Sequence, residues 1–291
     1  MAEGENMNQL RLPLSLRRAL LVGILATCSA SVLAAQPQPH YLGLTYIQTL
    51  PGKAEAFRKF AETDMLKMGQ MGVDEGTIDA YYVSRLTAPY AAGSDYNYLQ
   101  TVWYKKTPSL APLDTKVWEA RAKKAGYASY QQYLDKRDSM ARVVRTAWRV
   151  SAARIGDVKV GSYLRSVSYQ VEQEYRQEML RFLREYTLPL SQGRVSTGVL
   201  QGWGVSRPAA AVTSDDEAGF SFVVTTVHKD ADALLAGPVA LTEEAFKKAV
   251  IGTTYAAYLN ELNTLNRHRK AVTTRIMEIV TLAGALPKVS L

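Results

Sequence analysis

Two kinds of apolar periodicity alternate along each half of the chain. Stretches of alternating apolar and polar residues, typical of half-buried strands, are separated by segments whose apolar residues recur at helical spacing. In the first half this pattern predicts the order βαββαβ, which is the order of a ferredoxin-like unit. The predicted strands of this half are Tyr41–Thr49, Ile78–Leu86, 96–105 and 141–152.

The second half of the chain repeats the same order of periods. When the halves are aligned at Tyr41 and Tyr163, the Val-Ser-Arg run ending at Arg85 falls on the one ending at Arg207, and gaps are needed only in loops. An ordered series of such matches predicts a tandem duplication. The predicted repeats are 36–155 and 156–291, and the predicted strands of the second are 158–171, 198–207, 219–228 and 270–282.

The predicted fold class is α+β, with two tandem ferredoxin-like repeats that pack sheet to sheet. A four-stranded sheet that carries helices on one face still has a second face to bury. The element order and the Tyr- and Trp-rich strands resemble the dimeric α+β barrel superfamily, which includes antibiotic-biosynthesis monooxygenase-like, NIPSNAP-like and haem-binding chlorite dismutase-like proteins. The resemblance covers residues 40 to 285 and implies an intramolecular α+β barrel.

The N-terminal segment has the composition of a secretory signal peptide. Three arginines precede an apolar run at 19–26, and small residues at 32–35 form a cleavage site. The run is shorter than the roughly 20 residues that span a bilayer. We therefore predict a signal peptide at 1–35, export to the periplasm, and a mature chain without a transmembrane segment. Secretion and lipidation of Cys28, the only cysteine, are the alternatives.

Composition and charge narrow the function classes. The chain is 47% apolar and 21% charged, as in ordinary globular proteins. Its net charge of +8 comes from basic residues scattered among acidic ones, without a basic block, so no nucleic-acid partner is predicted. The three histidines are not spaced as metal ligands, so no metal site is predicted either. A monomer or a homodimer is expected.

Two matched arginines at strand ends, Arg85 and Arg207, are the predicted polar anchors of a ligand site, because a guanidinium binds carboxylates and phenolates well. Aromatic residues are predicted to line the same site, between sheet and helices, if they share a face. A register slip of one residue would reverse every face. These aromatic residues are Tyr46, Tyr98, Trp103 and Trp203. The alternatives are solvent-exposed charges at strand ends and ordinary filling of a barrel interior.

These features favour an exported protein that binds a small aromatic or amphipathic molecule, with no cofactor assigned. The motifs of nucleophile elbows, phosphate-binding loops and dinucleotide-binding folds are absent from the sequence. The first alternative is an enzyme, either a cofactor-independent oxygenase, as the resemblance suggests, or a haem protein that uses His228. The second alternative is a structural or interaction protein of the cell envelope. The sequence assigns no catalytic residue.

Overall fold

Eight antiparallel strands form a closed barrel in the computed structural model, which describes residues 40–87, 93–104, 115–209, 222–237 and 240–289. The strands are β1 (Tyr41–Thr49), β2 (Ile78–Leu86), β3 (Tyr98–Tyr104), β4 (Ala141–Gly156), β5 (Tyr163–Val171), β6 (Gly202–Pro208), β7 (Phe222–His228) and β8 (Arg269–Gly284). β1 and β2 have the predicted bounds. β4 and β8 run beyond their predicted ends, whereas β5 and β6 begin later than predicted, and the first three residues of the strand predicted at 219–228 lie outside the described residues.

The strand order is the same in both halves of the chain. It is β4-β1-β3-β2 in the first half and β8-β5-β7-β6 in the second. β2 pairs with β8, and β4 pairs with β6, so the two sheets are hydrogen-bonded edge to edge as well as facing each other. We call these places the β2–β8 seam and the β4–β6 seam. The predicted α+β class is confirmed, and closure of the barrel leaves none of the eight described strands at a free sheet edge.

Helices pack against the outside of the barrel. They are α1 (Ala54–Phe60), α2 (Leu66–Asp74), α3 (Thr115–Ala125), α4 (Tyr130–Asp138), α5 (Arg176–Phe182), α6 (Leu188–Ser196), α7 (Ala231–Leu235), α8 (Glu243–Ala249) and α9 (Tyr255–Arg267). A π-helical turn joins α1 to α2 and another joins α5 to α6. Within the described ranges, no helix has both the length and the apolar character needed to cross a membrane.

Three groups of buried side chains stabilise this arrangement. One group fills the barrel interior and includes Leu42, Tyr82 and Ile279. The other two lie between the barrel and its helices, around Phe57 in the first half and Phe246 in the second. Each side chain of this size contributes about 1.5–3 kcal/mol when it is fully buried. The helices therefore cover the outer face of the barrel. A binding site can then lie only where the packing of the barrel interior leaves space.

Two β-bulges change which residues face the barrel interior. The register of β4 against β6 shifts between Ser151 and Ala153, and the register of β8 against β2 shifts between Ile279 and Thr281. An extra residue in one strand reverses the inward and outward alternation beyond it. As a result Ala153 packs toward the helices, and Arg154 lines the interior.

Candidate functional site: a cavity at one seam of the barrel

A cavity lies inside the barrel at the β4–β6 seam. The centre of a water-sized sphere can occupy about 80 Å³ of it. Its walls are mainly apolar, with a few polar groups. The lining residues include Leu42, Tyr82, Trp103, Ser151, Arg154, Val158, Leu164, Gly204, Ser206, Thr225, Val227 and Leu286. We call it the barrel cavity; it lies within the barrel and not between the sheet and the helices, where the sequence predicted a pocket.

Arg154 is the charged group of the barrel cavity. Its residue is only 6% exposed, and its guanidinium lies 5.9 Å from the ring centre of Trp103. Nη1 donates to the carbonyl oxygens of Leu286 and Pro287, at 3.2 Å each, while Nε and Nη2 donate to none of the described residues. No carboxylate in the described ranges forms an ion pair with it. Burial lowers the pKa of Arg154, although the nearby Tyr82 and Asp157 act in the opposite direction.

The lack of a side chain at Gly204 makes room for the barrel cavity. Gly204 pairs with Arg154 across the seam. A Cβ at this position would lie 3.3 Å from the carbonyl oxygen of Ala153 and 3.7 Å from Cγ of Arg154. Because any larger side chain would compete with the arginine for the same volume, glycine here allows the guanidinium to lie along the cavity wall.

Trp103 brings a second donor to the cavity. The residue is 5% exposed, and its Nε1 is buried without a hydrogen-bond partner among the described residues. Nε1 lies near the hydroxyl of Tyr82 but without hydrogen-bond geometry. Burial raises the pKa of Tyr82, and the Arg154 charge is among the influences that oppose this. Buried polar groups normally have partners, so an unused indole N–H at a cavity is a site where a ligand acceptor would bind.

Two further arginines, Arg149 and Arg145, lie inside the barrel, and a carboxylate pairs with the second of them. Arg149, which is 2% exposed, donates from Nε to Oγ of Ser206 at 2.9 Å and from Nη2 to its carbonyl oxygen at 3.0 Å. Toward the other end of the barrel, Arg145 lies 4.1 Å from the ring centre of Tyr46 and pairs with Asp95. Such a distribution of charge favours an anionic ligand over a neutral or cationic one.

The chain after β8 covers the barrel cavity. Leu286 forms part of the lining, and Val289 pairs with Arg154 through two backbone hydrogen bonds, of 2.6 and 3.0 Å. Together with the side-chain bonds of Arg154 to two carbonyls, these contacts fix the segment 285–289 over the cavity. Arg154 therefore contributes both to the wall of the cavity and to its cover.

The predicted aromatic residues lie in different places. Trp103 lines the barrel cavity, and Trp203 borders it while packing among the residues on the helix side. Tyr46 faces the interior, where its ring meets that of Tyr96 at 4.8 Å. Tyr98 faces α1 and contacts Phe57, with 4.8 Å between ring centres. The structure thus brings two of these four residues to the cavity.

The two predicted anchor arginines lie outside the cavity. Arg85 is 38% exposed at its side chain and forms an ion pair with Glu278 at 2.6 Å. Arg207 is exposed and pairs across the seam with Val150, which offers no charge. The arginine that lines the cavity, Arg154, belongs to a strand segment that the sequence pattern did not include. The only indication of it in the sequence is the run of basic residues along β4.

His228 lies away from the barrel cavity. The residue is 7% exposed, and Nε2 is 3.0 Å from Oγ1 of Thr226. Burial lowers the pKa of His228, a backbone hydrogen bond with Ala233 raises it, and the charge of Arg165 lowers it further. The imidazole is therefore neutral at physiological pH, and its contact with Thr226 holds it against β7.

The barrel cavity does not fit haem. The barrel cavity offers about 80 Å³, whereas pockets for drug-sized ligands, which are smaller than haem, have roughly 300–1,000 Å³. Its lining contains no His, Cys or Met among the described residues, and Tyr82 is its only side chain of an iron-binding type. Within the described ranges, no group of three or more His, Cys, Asp or Glu side chains is placed to hold a metal ion.

The fold of the chain has counterparts among solved structures. No family model and no curated protein matches the chain. A candidate monooxygenase from Lactobacillus acidophilus is 9% identical over 86% of this chain and 99% of its own, with a TM-score of 0.51. A candidate monooxygenase from Fusobacterium nucleatum is 10% identical over 88% of this chain and its whole length, with a TM-score of 0.54.

A haem-binding protein from Thermus thermophilus shows a weaker likeness. It is 10% identical over 83% of this chain and 91% of its own, with a TM-score of 0.41. At these identities the two stronger matches show a shared fold and nothing about chemistry. The two stronger matches therefore show an α+β barrel fold, as the sequence predicted, and they show no family.

Proposed function

We propose that the protein binds a small organic anion in the barrel cavity at the β4–β6 seam. The observation that carries the proposal is Arg154: a buried guanidinium with no carboxylate partner in the described ranges, beside an unused indole N–H. A buried charge without a counter-ion is costly. A bound anion would supply that counter-ion.

The geometry also limits the class of ligand. The cavity volume is well below the roughly 300–1,000 Å³ of pockets for drug-sized ligands, so the ligand is small. The apolar walls suit a hydrocarbon or small aromatic body, and Arg154 together with Nε1 of Trp103 suits a carboxylate or phenolate oxygen. This ligand class agrees with the aromatic or amphipathic molecule expected from the sequence and adds a negative charge.

A titration with matched charged and neutral probes tests the proposal. Benzoate and the smaller propionate would each be compared by calorimetry with the corresponding neutral amide, benzamide or propionamide. We expect at least one carboxylate to bind saturably and its amide to bind more weakly. Equal affinity for acid and amide, or no binding of either pair, would contradict the assignment of Arg154 as the anchor.

The second candidate is an oxygenase-like enzyme that acts on such an anion. Two neighbours above a TM-score of 0.5 carry the description of candidate monooxygenases, and a fixed cation in an apolar cavity stabilises negative charge that develops on a bound substrate. An oxygen electrode distinguishes the candidates. Oxygen uptake that depends on both a bound phenolate and Arg154 favours the enzyme, whereas binding without uptake favours the binding protein.

Export and duplication are further parts of this proposal. The signal-peptide pattern at 1–35 supports export, and the shared strand order of the two halves supports a tandem repeat. The signal peptide and Cys28 lie outside the described residues. Intact-mass measurement of the protein from separated cell fractions tests export: a periplasmic chain that lacks residues 1–35 is expected, and a full-length cytoplasmic chain would contradict it. A structural role in the envelope remains the alternative if no small molecule binds.

A further inference from the structure

A second cleft lies on the surface where β5 ends and β8 begins, and it shares no lining residue with the barrel cavity. It has a volume of about 490 Å³. Four basic residues line it: Arg176, Arg267, Arg269 and Lys270. Glu172 is the only acidic residue among the described ones that line it, and that carboxylate lies 2.8 Å from Nδ1 of His268. We call this surface the basic cleft.

The cations of the basic cleft lack a carboxylate partner within the described part of the chain. None of the four forms an ion pair with a carboxylate of the described residues. Arg269 donates from Nε to the amide oxygen of Asn266 at 2.8 Å, and Arg176 makes a long contact of 3.4 Å with the carbonyl oxygen of Val171. Elsewhere on the surface, basic residues often pair with neighbouring acids, as Lys247 does with Glu243.

The floor of the basic cleft is held in a fixed geometry. The rings of Tyr175 and His268 stack with 3.6 Å between centres and 8° between planes. The guanidinium of Arg269 lies 4.8 Å from the ring centre of Tyr169. The backbone N–H of Glu172 donates to the carbonyl oxygen of His268 at 3.1 Å, so the ends of the two strands are tied together. Because these contacts fix the floor of the cleft, its basic side chains need little rearrangement to bind a ligand.

The equivalent place in the first half of the chain lacks these charges. Arg176 begins α5, and Ala54 begins the corresponding helix α1. Arg269 begins β8, and Ala141 begins the corresponding strand β4. Arg267, two residues before β8, corresponds to Ser139, two residues before β4. Of the four basic residues, only Lys270 corresponds to a basic residue in the first half, Arg142. The same backbone arrangement therefore exists without the cluster, so the fold does not require the cluster.

We propose that the basic cleft binds a ligand that carries a phosphate group. Several unpaired cations around one concave surface focus a positive potential there. A multiply charged anion neutralises more of them than a monocarboxylate does, and guanidinium groups bind phosphate oxygens in a bidentate manner. The cleft is several times larger than the barrel cavity and more polar, so this ligand differs from the one proposed for the barrel.

Inorganic pyrophosphate is the probe for the test, and binding would be measured by calorimetry on the whole protein. The test variant is R267E/K270E. The control variant, K53E/K124E, changes the net charge by the same amount at exposed positions of the first half. We expect saturable binding to the wild type, a loss of about tenfold or more in the test variant, and about twofold or less in the control. Melting curves verify that both variants fold.

Two results would overturn the proposal. One is the absence of saturable binding to the wild type. The other is an equal loss in the two variants, which would indicate general attraction to a basic protein. Vesicles that contain phosphatidylglycerol identify the source of the phosphate: binding that pyrophosphate displaces points to a lipid headgroup, and pyrophosphate binding without vesicle binding points to a soluble compound. Benzoate binding by the R267E/K270E variant shows separately whether the barrel proposal holds.

Discussion

The two seams of the barrel share a backbone arrangement and differ in the side chains that face inward. At the β2–β8 seam Tyr82 lies opposite Leu282, and at the β4–β6 seam Gly204 lies opposite Arg154. These are equivalent positions in the two halves. A large ring with an aliphatic partner fills the first seam. A glycine with a charged partner leaves room at the second, and the barrel cavity lies there.

A second pair of positions shows the same difference. The hydroxyl of Ser206 at the β4–β6 seam accepts from Arg149 at 2.9 Å, and the hydroxyl of Ser84 at the β2–β8 seam contacts the sulfur of Met277 at 3.6 Å. One seam is thus polar and positive inside, and the other is apolar. The barrel therefore needs neither Arg149 nor Arg154 to close, because the β2–β8 seam closes without an arginine at the equivalent positions.

Replacing Arg154 by leucine should have the largest effect on ligand binding, because it gives the β4–β6 seam the residue type found in the other seam. Removing one partner of a buried charge pair costs about 2–5 kcal/mol, so benzoate affinity should fall by about 30-fold or more. Calorimetry of R154L measures it, with R85L as the matched control outside the cavity. An R154L variant that binds as the wild type does would contradict the assignment of the site.

Filling the cavity from the opposite side should have the next largest effect. In G204A the added Cβ lies 3.3 Å from the carbonyl oxygen of Ala153, so the backbone has to shift slightly, and at 3.7 Å from Cγ of Arg154 it takes up space beside the arginine. We expect benzoate affinity to fall by about tenfold, a loss of about 1.4 kcal/mol. G193A is the control, because a Cβ there meets nothing closer than 4.0 Å. If G204A binds benzoate normally, the ligand does not occupy this space.

Removing the indole N–H should have a smaller effect. W103F keeps a ring in the lining but removes a single neutral donor, which contributes about 0.5–1.5 kcal/mol. Benzoate affinity should therefore fall by about two- to tenfold. W118F, outside the barrel interior, should leave the affinity unchanged. An unaltered affinity in W103F would remove Trp103 from the site while leaving Arg154 in it.

The outward faces of the two halves also differ, and alkaline pH should reveal this. Tyr81 in β2 corresponds to Trp203 in β6, and burial raises the pKa of Tyr81 well above its ordinary value. The unfolded chain releases this proton near its ordinary pKa of about 10, whereas the folded chain retains it. Stability from this group is therefore complete below about pH 10 and is lost as the pH rises above that value.

Chemical unfolding near pH 8 and near pH 11 measures this effect. The free energy of unfolding should decrease between the two pH values in the wild type, and it should decrease less in Y81F, which has no proton to lose there. Identical pH dependence in the two proteins would show that Tyr81 does not couple folding to ionisation.

The smallest effect is expected at the arginine pair on the outside of the seams. Arg85 pairs with Glu278, but both side chains are partly exposed, at 38% and 21%. Such a pair contributes at most about 1 kcal/mol. R85A should reduce the stability by no more than this, R207A should leave it unchanged, and neither should alter benzoate affinity. A loss of benzoate affinity in either variant would show that the substituted arginine contributes to ligand binding.

The sequence predicted much of the framework and part of the site. The bounds of β1 and β2 follow from alternation, because these strands carry clear apolar stripes between polar ends. Trp103 and Trp203 stand out as aromatic residues on predicted strands. Arg85 and Arg207 stand out because the alignment of the halves pairs them, but that pairing does not reveal which face they occupy.

Arg154 could not be predicted for a physical reason. The alternation along β4 ends at the bulge between Ser151 and Ala153, so a period-two pattern assigns the wrong face to every residue beyond it. The space in front of Arg154 depends on Gly204, which is distant in sequence and meets Arg154 only when the barrel closes. The barrel cavity is thus a property of the closed seam and not of either strand.

The most direct test of the proposed site is the indole N–H signal of Trp103 in a proton–nitrogen correlation spectrum, assigned with W103F and followed during titration with benzoate. If an anion binds at the β4–β6 seam between Arg154 and Trp103, this signal should shift saturably with benzoate, shift less with benzamide, and stay unchanged in R154L. A Trp103 signal that does not respond to benzoate, or that responds equally in R154L, would contradict the placement of the ligand in the barrel cavity.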